Sequence, residues 1–410
     1  MSSLTERSYA PGLVSGELTL SAPGAGEVLV LKRPDLEALP LWRRAFEHLR
    51  KDSRYYEIVE DTINPEFEHR YFAIVDKEGQ LCAIQPFFVL DQDLLQGVGP
   101  KAKAFADAVR RIWPRFLKLK TLMTGCAAGE GHLFSPEAQA RLREAEILAA
   151  NIRRLARELK APLIVMKEFP AAYRDALSCF LQHGFTRAPS MPMTRLDVSQ
   201  YTSFDDYLNK AIKSKRRTEF RRKFKAAEQS SPIALEVTQD VSGVIDEIYP
   251  LYLQVFEKSA LQFEKLTKAY FLELARRMPD KVRFFIWRQD GKIIAFSLCL
   301  LQGDALYGEY LGLDYSIALQ LHLYFYVMRD IISWAIANGF KSIVSTSLGY
   351  APKLQMRHVL EPLDLYIRHT SPAVNAIFRR ILPLLEPTRS DETLKQFPNY
   401  KDLWADGEKR

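Results

Sequence analysis

The sequence predicts an α/β (α+β) protein built from two similar tandem modules, each a mixed, mainly antiparallel sheet flanked by helices. Three observations predict this organisation. Residues 281–350 read as three meandering strands, a loop, a long helix and a further strand. The segment Phe72–Ile84 aligns without gaps on Phe284–Phe296, with Gly79 and Gly291 at the same position of the turn. A similar order of elements follows each copy, which indicates duplication of one unit.

Composition places the chain among folded proteins of ordinary solubility. It has 410 residues, 47% hydrophobic and 26% charged, enough for two domains. Met1–Glu17 lacks the basic and apolar segments of a signal peptide, and no apolar run approaches the ~20 residues of a membrane span. The four cysteines stand alone among apolar neighbours. We therefore expect reduced, buried thiols, no metal site and a cytoplasmic protein.

The first module is expected at residues 31–199, after a loosely ordered lead-in, 1–30, that is rich in proline and glycine. Apolar periodicity predicts alternating helices and strands with turn residues between them. The predicted helices are 36–51, 102–112, 136–159 and 171–182, and the predicted strands are 71–75, 81–90, 117–123, 162–167 and 194–198.

The second module, 200–388, is expected to open with a basic helix, 203–230, and to be followed by a tail, 389–410. Between Lys210 and Lys225 this helix carries nine basic residues against one acid. The further predicted helices are 241–256, 265–277, 321–338, which Gly339 ends, and 373–385. The predicted strands are 234–238, 282–288, 293–301, 306–311, 342–345 and 363–369.

This element order, together with the basic stretch Tyr207–Lys223, resembles the Fem-type double acyltransferases, which are tandem GNAT-like (acyl-CoA N-acyltransferase fold) proteins. The resemblance implies an enzyme that moves an acyl group from an acyl thioester, with acyl-CoA as co-substrate and no permanently bound cofactor. The acceptor would be an amine, such as a sphingoid base. Two alternatives are a Fem-type aminoacyltransferase that uses aminoacyl-tRNA and a peptidoglycan precursor, and an inactive acyltransferase fold that serves as a binding protein.

The resemblance also implies a reaction site where the fourth and fifth strands of a module diverge. In the second module these are 307–311 and 342–345. Glu309 lies there among apolar and aromatic neighbours, and alternation would place Tyr307, Glu309 and Leu311 on one face. An acid in such surroundings suits a general base. The alternative is an acid on a solvated strand face.

Three further residues of the second module are catalytic candidates. Asp314 could orient His322 or cap the turn. His322 lies near a helix N-terminus, which favours its neutral form, and it could be a base or a hydrogen-bonded core residue. Tyr350 follows the fifth strand and could protonate the leaving thiolate.

In the first module, a glycine-rich loop joins a strand to a long helix, as a pyrophosphate-binding loop would. Gly129, Gly131 and His132 are the candidates for binding the donor, because the usual glycines are absent from residues 313–320. Glu168 follows the strand 162–167 and is a further catalytic candidate. The alternatives are a plain turn and a surface ion pair.

The basic helix has three interpretations. It could be a solvated face, it could bind the phosphates of RNA or tRNA, or it could dock on an anionic lipid surface. Arg217 and Arg221 are the candidates for binding the phosphates of the donor. We rank lipid or donor phosphates above tRNA, because no aromatic platform interleaves the charges. The helix 373–385, apolar beside Arg379 and Arg380, would also suit a membrane surface. The expected location is therefore cytoplasmic, with peripheral membrane contact. The sequence indicates no oligomeric state.

Overall fold

The computed structural model describes residues 18–22, 26–63, 65–93, 110–111, 118–135, 137–228, 231–259 and 262–405. The strands are β1 Leu18–Ala22, β2 Gly26–Leu31, β3 Glu68–Val75, β4 Leu81–Asp93, β5 Lys118–Thr124, β6 Leu163–Pro170, β7 Thr186–Pro189, β8 Met193–Asp197, β9 Ile233–Thr238, β10 Val282–Gln289, β11 Lys292–Gln302, β12 Ala305–Leu313, β13 Ser342–Ser345, β14 Val359–Glu361 and β15 Leu363–His369. The helices are α1 Arg33–Leu36, α2 Pro40–Arg43, α3 Ser53–Thr62, α4 Ala138–Glu158, α5 Arg174–Gln182, α6 Phe204–Ala211, α7 Ser214–Ala227, α8 Ile245–Lys258, α9 Lys268–Arg277, α10 Leu323–Ala337, α11 Tyr350–Gln355 and α12 Pro372–Leu385.

The strands form two mixed, mainly antiparallel sheets, as predicted. The first has the order β1-β2-β3-β4-β5-β6-β15-β7, and the second has the order β14-β8-β13-β12-β11-β10-β9. Each sheet contains one parallel pair, β5 with β6 and β12 with β13. The two sheets therefore repeat one design.

Each sheet also borrows a strand from the other half of the chain. The strand β15 pairs with β6 and β7 of the first sheet, and β8 pairs with β13 and β14 of the second. Both strands are antiparallel to their neighbours. The division predicted between residues 199 and 200 therefore does not separate the two sheets. The exchange could not be predicted, because the paired strands are far apart in the sequence and leave no local signal.

The hydrophobic core has three layers. Helices α4 and α5 cover the outer face of the first sheet, and α6, α7 and α10 cover the outer face of the second. A shared core lies between the sheets and contains α3, α8 and α9. Within it, the hydroxyl groups of Tyr55 and Tyr270, one from each half, lie 2.8 Å apart. The two sheets are therefore joined through this central layer.

The predicted turns of the repeat are confirmed. Gly79 and Gly291 have φ angles of 81° and 77°, a left-handed backbone that glycine adopts without strain. Gly339, with a φ of 77°, ends α10 as predicted. Every helix among the described residues is too short or too polar to cross a membrane.

Several predictions for the first half are wrong. Residues 18–22 and 26–30, expected to be loosely ordered, belong to the paired strands β1 and β2, while the rest of 1–30 lies outside the described residues. The helix predicted at 36–51 is interrupted by Pro40, which cannot continue a helix, and by a left-handed Phe46. The helix predicted at 102–112 lies outside the described residues except for 110–111.

The second half also departs from prediction. The helix predicted at 203–230 is two helices, because the backbone at Ile212 is extended and its side chain is buried; residues 229–230 are not among those described. Of the predicted extended tail, 389–410, the described residues 389–405 pack instead: Leu394, Phe397 and Leu403 are buried around Tyr350.

Candidate functional site

Glu309 lies at a bulge in β12. Gly308 and Tyr310 face Cys299 and Leu298 of β11, so Glu309 is the extra residue between them. The predicted alternation is therefore wrong here. Glu309 and Tyr310 both contact groups of the central layer, and Leu311 packs in the outer core with α10.

The carboxylate of Glu309 belongs to a buried ion cluster, which we define as Arg50, Lys51, Glu130, His132 and Glu309. Arg50 Nε donates to Glu309 Oε1 at 2.5 Å, and its Nη2 donates to Glu130. Lys51 Nζ lies 2.6 Å from Glu130 Oε2 and 3.7 Å from Glu309 Oε2. Contrary to the prediction of an apolar setting, Glu309 thus contacts two cations. Each member of the cluster is buried.

Burial and neighbouring charges shift the pKa values of Glu130 and His132. Burial alone would raise the pKa of Glu130, but Arg50, Lys51 and a 3.0 Å hydrogen bond with His132 hold that pKa well below its usual range. Burial lowers the pKa of His132, whose Nδ1 lies 3.2 Å from the Tyr173 hydroxyl. The histidine is therefore mainly neutral at neutral pH.

The glycine-rich loop is packed against the same cluster. A Cβ at Gly129 would lie 2.2 Å from Lys51 Nζ, and a Cβ at Gly131 would lie 2.8 Å from the Lys167 carbonyl oxygen. Gly131 therefore needs to be glycine for close packing against the backbone, and Gly129, whose φ is 88°, needs to be glycine for its left-handed conformation. Donor binding by Gly129, Gly131 and His132 stays a prediction, and in this conformation a phosphate at Gly129 would have to displace Lys51.

A second group of polar side chains, which we call the mouth cluster, lies where both parallel pairs split. It comprises Lys167, Glu168, Ser190, Glu264 and Tyr310. The β5–β6 pairing ends at Met166, directly before Lys167, and the β12–β13 pairing ends at Gly308, two residues before Tyr310. The cluster therefore joins equivalent points of the two sheets.

Hydrogen bonds form within each half of the mouth cluster, and Lys167 faces the ring and acid of the other half. Lys167 Nζ donates to Glu168 Oε2 at 2.7 Å and to the Gly129 carbonyl oxygen at 2.8 Å. Tyr310 donates its hydroxyl to Glu264 Oε1 at 2.8 Å. Lys167 Nζ also lies 4.9 Å from the ring of Phe263, the neighbour of Glu264. Unlike the buried ion cluster, this group is partly accessible to solvent: Lys167 and Ser190 are buried, but the Glu168 side chain is 26% exposed.

Glu168 occupies a strained position. Its φ is 55°, a left-handed conformation that is uncommon for a residue with a side chain. The β6–β15 register is irregular at this point, between the Asp364–Phe169 and Tyr366–Met166 pairs. Ser190 Oγ donates to Glu168 Oε1 at 3.0 Å and fixes the carboxylate. Backbone strain held by such contacts is typical of functional sites.

The charged groups of the mouth cluster shift one another's pKa values. Burial raises the pKa of Glu264, although Lys167 and the hydrogen bond from Tyr310 oppose the change. Burial would lower the pKa of Lys167, but Glu168 and Glu264 reverse the direction and raise it. The cluster thus pairs a stable cation with a carboxylate of increased basicity.

Comparison with known families fits this two-sheet geometry. The model of the FemAB-like family, described as peptidoglycan biosynthesis/recognition, matches residues 68–354, more than half of the chain. The chain belongs to the FemAB-like family. The predicted Fem-type, GNAT-like character is thereby confirmed. A comparison with curated proteins finds no significant match.

Solved structures similar to this FemAB-like chain share about a tenth of its residues. L-PGS from Bacillus licheniformis is 11% identical, with 82% of this chain and 97% of that chain covered and a TM-score of 0.47. FemX is 11% identical, with 76% and 90% covered and a TM-score of 0.47. A tandem GNAT protein from the clavulanic acid biosynthesis pathway is 10% identical, with 78% and 88% covered and a TM-score of 0.42.

Other predicted site residues of the FemAB-like chain lie apart from the two clusters. Asp314 caps its turn by accepting from the Ser316 backbone N–H at 3.1 Å, and it pairs with Lys292 at 2.8 Å. Among the described residues, Asp314 forms no hydrogen bond or ion pair with His322, which it was predicted to orient. Burial is the main cause that lowers the pKa of His322, the N-cap residue before α10, and Lys223 and Arg222 add to it.

Tyr350 and the predicted phosphate-binding arginines are engaged in local contacts. The buried hydroxyl of Tyr350 donates to the Pro192 carbonyl oxygen at 2.9 Å. Arg217 donates to the Asn209 carbonyl oxygen at 3.0 Å, and Arg221 donates to the Asn209 side chain at 3.3 Å. Their catalytic and binding roles stay predictions.

Sequence reasoning missed several residues of the FemAB-like site. Arg50 and Lys51 lie at the end of segment 36–51, which was predicted as one helix, and Glu264 is a single acid between an aromatic residue and a lysine. Tyr310 was visible beside Glu309, but alternation assigned it to the opposite face. The usable signal for Tyr310 was its position just past the point where the paired strands β12 and β13 diverge.

Proposed function

We propose that the protein is an N-acyltransferase whose reaction takes place at the mouth cluster. The observation that carries this proposal is the carboxylate of Glu264, which has a raised pKa and accepts a hydrogen bond from Tyr310 where the two parallel pairs split. A carboxylate of increased basicity suits the removal of a proton from an attacking amine.

The chemistry follows from these groups. The amine nitrogen attacks the thioester carbonyl carbon and a C–N bond forms, while Glu264 accepts the amine proton. The tetrahedral intermediate then collapses, the C–S bond breaks, and the proton on Glu264 passes to the departing thiolate. Lys167 is the nearby cation that favours the developing oxyanion. Glu168 and Ser190 position Lys167 through the 2.7 Å and 3.0 Å contacts.

A phosphate-bearing donor is supported by a basic cleft between α7 and α11. Its volume is about 360 Å³, and Lys213, Arg216 and Arg357 line it. Within the described parts of the chain, none of these three side chains takes part in an ion pair. Unpaired basic groups in a cleft suit the phosphates of CoA. We favour acyl-CoA as donor and a lipid-borne amine as acceptor.

The family match favours a second candidate. Because the FemAB-like model is described as peptidoglycan biosynthesis/recognition, the same site could transfer an aminoacyl group from aminoacyl-tRNA to a peptidoglycan precursor. The basic surface of α7 would then bind the tRNA phosphates.

A substrate panel tests both candidates. The purified chain is incubated with acyl-CoAs of different lengths and with lipid and amino-acid amines, and released CoA thiol is measured. We expect amine-dependent thiol release together with one amide product. In parallel, aminoacyl-tRNA is offered with a peptidoglycan precursor, and transfer in that reaction alone would replace the first candidate with the second. Absence of transfer in both reactions would refute the N-acyltransferase proposal.

A further inference from the structure

The basic cleft between α7 and α11 is also lined by the C-terminal segment, residues 389–405. Thr393 and Gln396 of that segment face the cleft together with the cations of α7 and α11. The segment is fixed in place, because its neighbouring side chains Leu394 and Phe397 are buried. Three separate parts of the chain therefore build this cleft.

The cations of the cleft lack counter-charges. Among the described residues, Lys213, Arg216 and Arg357 take part in no ion pair. Glu219, which lies one turn after Arg216, pairs instead with Lys223 at 2.8 Å. Three unpaired cations that line one cleft favour an anion with more than one negative charge.

Arg357 has a strained backbone. Its φ is 65°, a left-handed conformation, and it follows Met356, the C-cap residue of α11. Glycine is usual at this position because it adopts the conformation without strain. Strain of this kind is typical of functional sites, and here it accompanies a guanidinium group that lines the cleft.

The rest of the lining suits a nucleobase better than a phosphate. Ile212 and Leu354 supply apolar surface for the face of a base. Gln396 is exposed, and its Nε2 donates to the Glu392 carbonyl oxygen at 3.1 Å. In the part of the chain that the structure describes, its Oε1 accepts no hydrogen bond. This oxygen would repel a phosphate, whereas the exocyclic amino group of a base would donate to it.

Helix α11 lies between the cleft and the split of β12 and β13. Lys353 of this helix donates to the carbonyl oxygen of Thr346, the residue that follows β13. Ala351 and Leu354 of the same helix line the cleft. Because an α-helix with its side chains is about 10 Å across, the cleft is about one helix diameter from the split.

We infer that the cleft binds a nucleoside bisphosphate. The three cations hold its phosphates, and Gln396 recognises the amino group of its base. The volume of about 360 Å³ is within the range of small-molecule sites. Adenine, cytosine and guanine all carry an exocyclic amino group. The choice of adenine therefore rests on the proposed acyl-CoA donor, whose nucleotide part contains adenosine 3′,5′-bisphosphate.

Isothermal titration calorimetry of the full chain tests this inference in the absence of an acyl group or an amine. The probes are adenosine 3′,5′-bisphosphate, inosine 3′,5′-bisphosphate and pyrophosphate. Inosine carries a keto group in place of the amino group, and we expect it to bind about 3–10-fold more weakly than adenosine. Arg216→Gln should weaken both nucleotides about tenfold or more, while Gln396→Leu should abolish only the difference between them.

The variant Arg357→Gly separates binding from folding. Glycine relieves the left-handed backbone, so we expect a thermal unfolding temperature at least as high as that of the unmodified chain. Adenosine 3′,5′-bisphosphate should nevertheless bind about tenfold more weakly. The matched control is Lys395→Gln in the C-terminal segment. Its charge is already paired with Glu392 at 2.6 Å, so the control should bind as the unmodified chain does.

Several outcomes overturn the inference. They are absence of saturable binding, equal affinity for adenosine 3′,5′-bisphosphate and either other probe, and nucleotide binding that Arg216→Gln and Arg357→Gly leave unchanged. Retention of tRNA that Arg216→Gln abolishes, without binding of the free bisphosphate, also overturns it.

Failure of the proposed function gives a different result. Nucleotide binding with the expected response to the variants, but no thiol release from any acyl-CoA, would refute acyl transfer and support the nucleotide site. Thiol release with an unchanged KM for acyl-CoA in both arginine variants would overturn the site and leave acyl transfer standing.

Discussion

At the residue scale, two acids beside the bulge of β12 have different environments. Glu309 is 3% exposed and is paired with Arg50 and Lys51, while Glu264 accepts from a tyrosine and has a raised pKa. A carboxylate paired with buried cations keeps its strand in register, because a shift of the strand would leave buried charges without partners. A half-buried carboxylate with a raised pKa can exchange a proton. We therefore propose that Glu309 holds the strands in position and that Glu264 transfers the proton.

The buried ion cluster predicts a large loss of stability on removal of its central cation. Replacement Arg50→Leu leaves Glu130 and Glu309 with Lys51 alone, and we expect the free energy of unfolding to fall by about 3–5 kcal/mol. Urea denaturation measures this. The control Arg276→Gln removes a 69% exposed side chain and should change the value by less than about 0.5 kcal/mol. A loss for Arg50→Leu as small as that of the control would contradict the assignment.

Lys353 predicts a specific pH dependence of stability. Its Nζ is buried and donates to the carbonyl oxygens of Thr346 at 2.5 Å and Leu348 at 2.8 Å, and burial lowers its pKa from 10.5 to about 7. Below about pH 7 both the folded and unfolded states hold the proton. Between about 7 and 10.5 the unfolded state holds more proton than the folded state, so this contribution to the free energy of unfolding rises with pH.

Replacement Lys353→Met removes that contribution. From about pH 7 to about pH 9, the unmodified chain should gain about 2–3 kcal/mol relative to the variant, at up to about 1.4 kcal/mol per pH unit. Denaturation of both proteins at each pH gives the difference, in which other titrating groups cancel. If the free energies of unfolding of the two proteins instead change in parallel with pH, Lys353 has the same pKa in the folded and unfolded states, which would contradict the prediction.

At the element scale, β12 is held closely against α8 on one side of its bulge. A Cβ at Gly312 would lie 2.3 Å from Phe296 Cε1 and 2.8 Å from the Tyr252 backbone nitrogen. A Cβ at Gly308, in the same strand, would meet only the Val344 carbonyl oxygen at 3.9 Å. The two glycines therefore differ in packing while sharing one element.

We predict that Gly312→Ala lowers the free energy of unfolding by about 1–3 kcal/mol, because the added methyl group overpacks the contact with α8. Gly308→Ala, the matched control, should change it by less than about 0.5 kcal/mol. Chemical denaturation compares the two variants. Equal effects would contradict the packing described for β12.

Much of this element order could be predicted from the sequence, because apolar periodicity and turn glycines are local. The hairpin turns at Gly79 and Gly291 and the end of α10 at Gly339 belong to this class. The candidate site could be predicted only in part. Glu168 was recognisable at the end of a strand, but Glu264 gains its character from burial beside Tyr310 and Lys167, which are distant in sequence. Local patterns carry no such information.

At the scale of the whole molecule, strand exchange joins the two halves. The first sheet includes β15 from the C-terminal half, and the second includes β8 from the N-terminal half. The shared core between the sheets adds contacts such as that of Tyr55 with Tyr270. The site at the split of both pairs depends on this arrangement, because each half supplies part of the mouth cluster.

The exchange predicts that the halves do not fold separately. A fragment of residues 1–199 would expose the edges of β6 and β7 and leave β8 without its sheet, so we expect aggregation or an unfolded circular dichroism spectrum. Co-expression with residues 200–410 should restore a soluble complex. A folded, monomeric 1–199 fragment would argue against the exchanged strands as a requirement for folding.

The central claim is that Glu264 acts as the base in acyl transfer between the two halves. The most direct measurement compares Glu264→Gln with Glu257→Gln, an exposed acid on the neighbouring helix α8, by the rate of amine-dependent thiol release. The claim predicts that Glu264→Gln slows release by about 100-fold or more while the protein stays folded, and that Glu257→Gln has the unmodified rate. Full activity of folded Glu264→Gln would contradict it.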